Sequence, residues 1–185
     1  MLDLNAFAQE VHTVSVEHGW WEGEENNDVD TKIALIHAEW SEALEEYRAG
    51  RPMVYVLDIE GDGEITPRYE TDADKFAGHK PEGIAVELVD GVIRILDLMA
   101  AKDMDFAQVG YVYGVKRTLP QLVAVLHCAT AMSGPEDDDD ARWLSSCIET
   151  VREWLEDQGV DMDEILRLKH EYNKTRPYRH GGKRC

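Results

Sequence analysis

The sequence predicts an all-α fold, an antiparallel helical bundle with one small inserted β-hairpin. Apolar residues recur every three or four positions through most of the chain, with Gly, Pro or acidic breaks between these segments. One stretch, residues 53–72, instead carries β-branched and aromatic residues on both sides of a Gly-Asp-Gly turn, which is the pattern of a hairpin. The chain of 185 residues has no internal repeat and fits a single domain, 1–185.

The helical segments have recognisable ends. The predicted helices span residues 4–18, 31–49, 82–101, 117–132, 138–158 and 161–175. Gly19 ends the first helix and Gly50 the second, as is common after a last helical turn. Asp28 or Asp30 can cap the second helix. Pro81 is expected in the first turn of the third helix, where its missing N–H does no harm.

Charge and composition exclude several classes of protein. The 38 acidic and 19 basic residues give a net charge of −19, which repels nucleic acid and anionic membranes, so neither is expected as a partner. The longest apolar stretches are far shorter than the roughly 20 residues of a membrane span. Cys128, Cys147 and Cys185 form no C-x-x-C motif, which argues against structural zinc. Without a recognisable signal peptide, these features predict a cytoplasmic protein.

The third predicted helix is apolar around most of its circumference at about 100° per residue. Its charged residues Glu87, Asp90, Arg94 and Asp97 share one stripe. Such a helix belongs in a protein interior, where carboxylates must be solvated in a cleft, paired or bound to a cation. The stripe is therefore either the one solvent-exposed side of a core helix or part of a functional site.

The second predicted helix adds another acidic pair. Glu39 and Glu42, like Glu87 and Asp90, are three residues apart and are neighbours on a helix surface. Single pairs of this kind are common in an acidic protein and mostly form solvated faces. Two pairs on facing helices would surround one point with four carboxylates, an oxygen set that suits Mg²⁺ or Mn²⁺. A di-iron bundle is disfavoured, because no histidine lies three residues after a glutamate.

Four segments together resemble the MazG-like all-α nucleoside triphosphate pyrophosphohydrolases. They are E-W-S-E at 39–42, K-P-E-G at 80–83, E-L-V-D at 87–90, and the tail from Asn173 to Arg176. That superfamily also holds dimeric dUTPases, dCTP pyrophosphatases and phosphoribosyl-ATP pyrophosphohydrolase. The run KPEGIAVELVDGVIRILDL and the later RPYRHGGK resemble its phage and bacterial MazG-like branch in particular. The resemblance covers roughly residues 30–50, 79–101 and 165–183.

The resemblance implies a helical bundle of the all-α NTP pyrophosphatase type that forms a homodimer or larger oligomer. It implies Mg²⁺-dependent cleavage between the α- and β-phosphates of a (d)NTP, with Mn²⁺ as a possible substitute. The implied metal ligands are Glu39, Glu42, Glu87 and Asp90. Some members carry a further glutamate just before the first motif, where this chain has Ala38. Glu46, one turn beyond the E-W-S-E motif, is therefore the predicted water-activating base.

A basic helix end supplies positive charge for a triphosphate. Residues 169–184 hold six of the 19 basic residues against one acid. Lys169, Asn173 and Arg176 match the family pattern K-x-x-x-N-x-x-R, which assigns the two cations to phosphates and the amide to base or sugar. The alternative is a solvated helix end, favoured by the helix dipole.

Three further features are placed at the predicted site. Asp97 extends it as a ligand or a neighbouring group. Trp21, next to Trp20, is a candidate for stacking on a base, although such tryptophans are more often core or interface residues. In the basic tail 176–185, the run His180-Gly181-Gly182-Lys183 can either fold over the phosphates or be disordered.

Two other functions stay open. The net charge of −19 also fits a non-enzymatic acidic binding protein, such as a DNA mimic. A mimic needs outward carboxylates, whereas the stripe on the third helix is expected to be buried. The second alternative is phosphoribosyl-ATP pyrophosphohydrolysis on the same fold.

Residues 58–66 resemble the opening of an EF-hand loop, but Tyr69 replaces its bidentate glutamate, so a hairpin turn is favoured.

Overall fold

The computed structural model describes residues 1–23, 28–59, 65–67, 79–106, 116–133 and 140–182. The helices in these ranges are α1 (Leu4–Glu17), α2 (Val29–Arg48), α3 (Ile84–Ala101), α4 (Leu119–Met132), α5 (Asp140–Asp157), α6 (Met162–Lys174) and the short α7 (Arg179–Gly182). The strands are β1 (Tyr55–Ile59), β2 (Ile65–Pro67) and β3 (Pro81–Glu82). The predicted all-α character is confirmed, and the helices lie within a few residues of their predicted bounds.

The central element is α3, which packs against α1, α2, α5 and α6. Its side chains Leu88, Val92 and Ile95 are fully buried. Because α3 is apolar on nearly every side, it can be covered by several helices at once. The prediction that this helix lies in the interior is therefore confirmed.

Side-chain caps fix where several helices begin. Asp3 and Asp161 accept hydrogen bonds from the first free backbone N–H groups of α1 and α6. Asp28, one of the two predicted candidates, caps α2 by accepting from the backbone N–H of Thr31. Such caps satisfy donors that have no partner inside the helix.

The inserted hairpin is confirmed. β1 pairs antiparallel with β2, with Asp58 opposite Thr66. Residues 60–64, at the predicted turn and EF-hand-like loop, and residues 68–72 lie outside the described residues, as do 24–27, 134–139 and the tail residues 183–185.

The prediction that Pro81 lies in the first turn of a helix is wrong. Pro81 belongs to β3, which pairs antiparallel with β1 and gives the strand order β2-β1-β3. The helix begins after Gly83, whose φ of 119° disfavours a side chain. A Cβ at Gly83 would also lie 2.6 Å from the carbonyl oxygen of Met53. The backbone N–H groups of the first α3 residues donate to this carbonyl and to that of Pro52, which anchors the start of the helix to the segment just before β1.

One close contact sets the spacing of α2 and α3. The Trp40 ring is fully buried and lies where a Cβ at Gly91 would be, 2.2 Å from the nearest ring atom. The Trp40 indole donates a hydrogen bond of 3.0 Å to the hydroxyl of Thr130 on α4. Because Glu39 and Asp90 are the direct neighbours of this pair, the contact fixes the distance between the two acidic motifs.

Among the described residues, no helix combines the length and the apolarity needed to cross a membrane.

Candidate functional site

A cavity of about 300 Å³ lies between α1, α2, α3 and α6. Its volume is at the lower end of the range of small-molecule sites in proteins. Eight of the ten predicted site residues line it: Glu39, Glu42, Glu87, Asp90, Asp97, Lys169, Asn173 and Arg176. The other two, Glu46 and Trp21, do not line the cavity.

Three carboxylates converge at one wall of the cavity. Oxygens of Glu39, Glu42 and Glu87 all lie within 4.8 Å of one another. Glu39 is 6% exposed and Glu87 is 5% exposed, whereas Glu42 is open to solvent. Negative charges at this separation repel one another unless a proton or a cation lies between them. An all-oxygen set of this kind fits Mg²⁺ or Mn²⁺.

Burial raises the pKa of both buried glutamates. Burial, reinforced by the charge of Asp90, raises the pKa of Glu87 to about 8, although Lys169 opposes the shift. Burial also raises the pKa of Glu39, and the adjacent Arg94 guanidinium offsets part of that rise. Without a cation, Glu87 therefore retains its proton at neutral pH. A metal ion that binds there must displace this proton.

Asp90 and Lys169 form a buried ion pair. The Lys169 ammonium lies 2.6 Å from an Asp90 carboxylate oxygen, and Lys169 is only 1% exposed. Burial by itself lowers the pKa of Lys169, but the charge and hydrogen bond of Asp90 raise it overall, so the ammonium stays protonated. The predicted metal ligand Asp90 is thus outside the group of three carboxylates and contacts the predicted phosphate ligand. Their roles toward metal and phosphate stay predictions.

Arg94 makes an ion pair that the sequence did not indicate. Its Nε atom lies 2.5 Å from a carboxylate oxygen of Glu39, across the α2–α3 contact. Arg94 follows Asp90 by one helical turn and precedes Asp97 by three residues, so the sequence places it within the acidic stripe without specifying which acid it pairs with.

Two polar atoms on α6 have no hydrogen-bond partner among the described residues: Nε2 of His170 and Oδ1 of Asn173. Both residues line the cavity, and His170 is only 3% exposed. Buried polar atoms are nearly always hydrogen-bonded, so these two atoms are exceptions within the described part of the chain. Asn173 was predicted. His170 was not, because a lone histidine beside a lysine carries no pattern of its own.

Arg176 lies at the cavity wall beyond Asn173 and is half-buried, which lowers the pKa of its guanidinium. Its backbone carbonyl accepts a 2.9 Å hydrogen bond from Nε2 of His18. The side chain of Arg179 donates to the backbone carbonyl of Gly19 at 3.2 Å. These contacts hold the described part of the basic tail against the loop after α1.

The carboxylate of Asp97 is engaged by protein donors. It accepts hydrogen bonds from His12 at 2.7 Å, from Ser15 at 2.8 Å and from the Trp21 indole at 2.9 and 3.0 Å. The Lys32 ammonium lies 4.0 Å from the centre of the Trp21 ring. Trp21 therefore hydrogen-bonds to Asp97 and does not line the cavity, whereas its neighbour Trp20 does.

Glu46 lies at the hairpin side of α2. Its carboxylate accepts a 3.0 Å hydrogen bond from the hydroxyl of Tyr55 on β1. In this position Glu46 joins α2 to the sheet, and the prediction that it activates water has no support from its placement.

Comparison of the chain with protein-family models, curated proteins and solved structures found no match. The resemblance to MazG-like enzymes therefore depends on the short motifs alone.

Proposed function

We propose that this chain is a Mg²⁺-dependent nucleoside triphosphate pyrophosphohydrolase that converts a (d)NTP into the nucleoside monophosphate and pyrophosphate. The observation that carries the proposal is the convergence of Glu39, Glu42 and Glu87 oxygens within 4.8 Å, in a cavity that Lys169 and Arg176 also line. Carboxylates beside cations are what a metal–triphosphate complex requires. The resemblance of the same residues to the MazG-like motifs supports this proposal.

Two carboxylates are available to hold the cation. Glu42 and Glu87 accept no hydrogen bond and form no ion pair within the described part of the chain. Glu39 would complete the oxygen set by sharing its charge between Arg94 and the metal. A divalent cation held there neutralises phosphate oxygens and acidifies a bound water.

The rest of the wall suits the substrate. The half-buried Arg176 guanidinium can donate two parallel hydrogen bonds to a phosphate. Asn173, whose amide the resemblance assigns to base or sugar, lines the same cavity. The apolar part of the wall, with which a nucleobase can pack, is formed by Val11, Val14, Leu35 and Ile93.

A nucleotide panel tests the proposal. The full chain is incubated with Mg²⁺ and each NTP, each dNTP or phosphoribosyl-ATP, and the products are separated to distinguish monophosphate plus pyrophosphate from diphosphate plus phosphate. Glu42→Gln is expected to reduce turnover at least about 100-fold, because it removes a charged metal ligand. Glu45→Gln is the matched control, since this exposed residue on the same helix pairs with Arg48 outside the cavity.

The outcomes separate the alternatives. Turnover of phosphoribosyl-ATP alone would assign the site to that substrate. Absence of turnover on every nucleotide would refute the proposal and favour the acidic binding protein. Equal activity of Glu42→Gln and Glu45→Gln would show that the carboxylate cluster is not the reaction centre.

A further inference from the structure

We infer that Arg94 is the built-in counter-cation of Glu39, and that the nucleotide-free site consequently binds one divalent cation per chain, not two. The inference rests on the proposed metal site and assigns a positioning role to a residue outside its motifs. Arg94 would set how many metal ions the carboxylates accept.

The contacts show which acid Arg94 neutralises. Its guanidinium is 2.5 Å from Glu39. The two other acids within reach along α3 are engaged elsewhere: Asp90 by Lys169 at 2.6 Å, and Asp97 by donors from α1 and the loop after it. A buried carboxylate without a partner is costly, so Glu39 depends on Arg94 whenever no metal is bound.

The charges of the cluster then leave room for one divalent ion. Metal ligands bind as carboxylates, so Glu39, Glu42, Glu87 and Asp90 together offer four negative charges. Arg94 and Lys169 return two positive charges through their ion pairs with Glu39 and Asp90. This leaves Glu42 and Glu87 as the carboxylates of the cluster without an ion pair in the described chain, and we expect these two to hold one Mg²⁺ or Mn²⁺.

Metal binding to the full chain without nucleotide tests this count. Mn²⁺ is titrated and free Mn²⁺ is followed by electron paramagnetic resonance, with isothermal titration calorimetry as a second readout. Wild type is expected to bind one Mn²⁺. Arg94→Met is expected to bind a second Mn²⁺, at least tenfold tighter than any second ion in wild type, because Glu39 regains a free negative charge. Arg94→Lys keeps the positive charge and is expected to bind one.

Two controls separate charge at this position from charge in general. Lys102→Met removes one exposed positive charge from the end of the same helix, outside the cavity, and is expected to leave the count at one. Arg94→Met combined with Glu39→Gln removes both partners of the ion pair and is expected to restore a count of one. The double variant also leaves no unpaired buried charge at this position, so it tests the idea even if Arg94→Met folds poorly.

The possible results are distinct. Two tightly bound Mn²⁺ ions in wild type would overturn the inference and leave the proposed function standing. The inference would also be overturned if the double variant bound a second Mn²⁺ tightly, or if a folded Arg94→Met bound no second Mn²⁺. No Mn²⁺ binding by wild type would instead contradict the proposed function itself.

Discussion

Replacing Glu87 with glutamine in the cation-free protein is expected to stabilise the fold at alkaline pH and to change little under acidic conditions. Glutamine has nearly the shape of the protonated glutamate and carries no charge. The pKa of Glu87 is raised to about 8 by burial and by Asp90, from 4.5 in a solvated glutamate. Between these two values the folded chain keeps a proton that the unfolded chain releases. The free energy of unfolding of wild type therefore falls as pH rises through this window.

The size of the effect follows from the two pKa values. A pKa difference of one unit corresponds to about 1.4 kcal/mol. Between pH 5.5 and pH 8.5, the linkage relation gives a loss of about 3 kcal/mol from wild type that Glu87→Gln does not suffer. The comparison between the two proteins cancels every other titrating group that behaves alike in both.

Urea unfolding of both proteins at these two pH values, with EDTA present, measures the difference. Glu42→Gln is the matched control, because Glu42 belongs to the same carboxylate cluster but is exposed. Glu87→Gln, and not this control, is expected to lose most of the wild-type decline in stability between the two pH values. Mg²⁺ added at pH 8.5 should stabilise wild type and have little effect on Glu87→Gln. A stability gap between Glu87→Gln and wild type that is the same at both pH values would refute the reasoning.

Three further substitutions test other parts of the fold. Gly91→Ala should lower the free energy of unfolding by about 1–3 kcal/mol, because its Cβ would lie 2.2 Å from the Trp40 ring. Urea unfolding measures the loss, which should shrink when Trp40→Leu is added, and an unchanged loss would contradict the clash. Asp163→Asn should cost about 1–3 kcal/mol at neutral pH, because it removes the carboxylate 2.8 Å from the buried Arg152 guanidinium and leaves Glu149, 4.0 Å away, as the remaining counter-charge. Burial raises the pKa of Asp163 but hydrogen bonds from Arg152 and the backbone lower it overall, so the penalty should fade in acid, and a loss that persists there would argue against the ion pair. His127→Gln should flatten the decline in melting temperature as pH falls below about 6.5. Burial lowers the pKa of His127, and so does His37 on α2, whose ring nitrogen lies 2.7 Å from that of His127. If the melting temperatures of this variant and of wild type fall in parallel from pH 7.5 to 5.5, that reasoning is contradicted.

Local patterns were sufficient to predict the helices. The apolar circumference of α3 indicates a central helix, and an aspartate before each of α1, α2 and α6 marks its start. The hairpin also followed from its β-branched residues. Pro81 was misplaced because its strand pairs with β1, at least 25 residues earlier in the chain, and local preference does not reveal such pairing.

The candidate site was predictable in position but not in its pairings. Spacing alone puts Glu39 with Glu42 on one helix surface, and the convergence with Glu87 needed only that α2 and α3 be neighbours. Which cation contacts which acid depends on how the helices are rotated, and that is set by the packing of Trp40 on Gly91. The sequence therefore did not reveal the Arg94–Glu39 pair.

The buried Asp90–Lys169 pair has a consequence for synthesis on the ribosome. Every carboxylate that lines the cavity is translated before α6, which carries the lysine that neutralises Asp90. A nascent chain that ends before α6 would expose one side of α3 together with an unbalanced cluster of acids. The cavity can be completed only when this late helix docks, after most of the polypeptide has emerged.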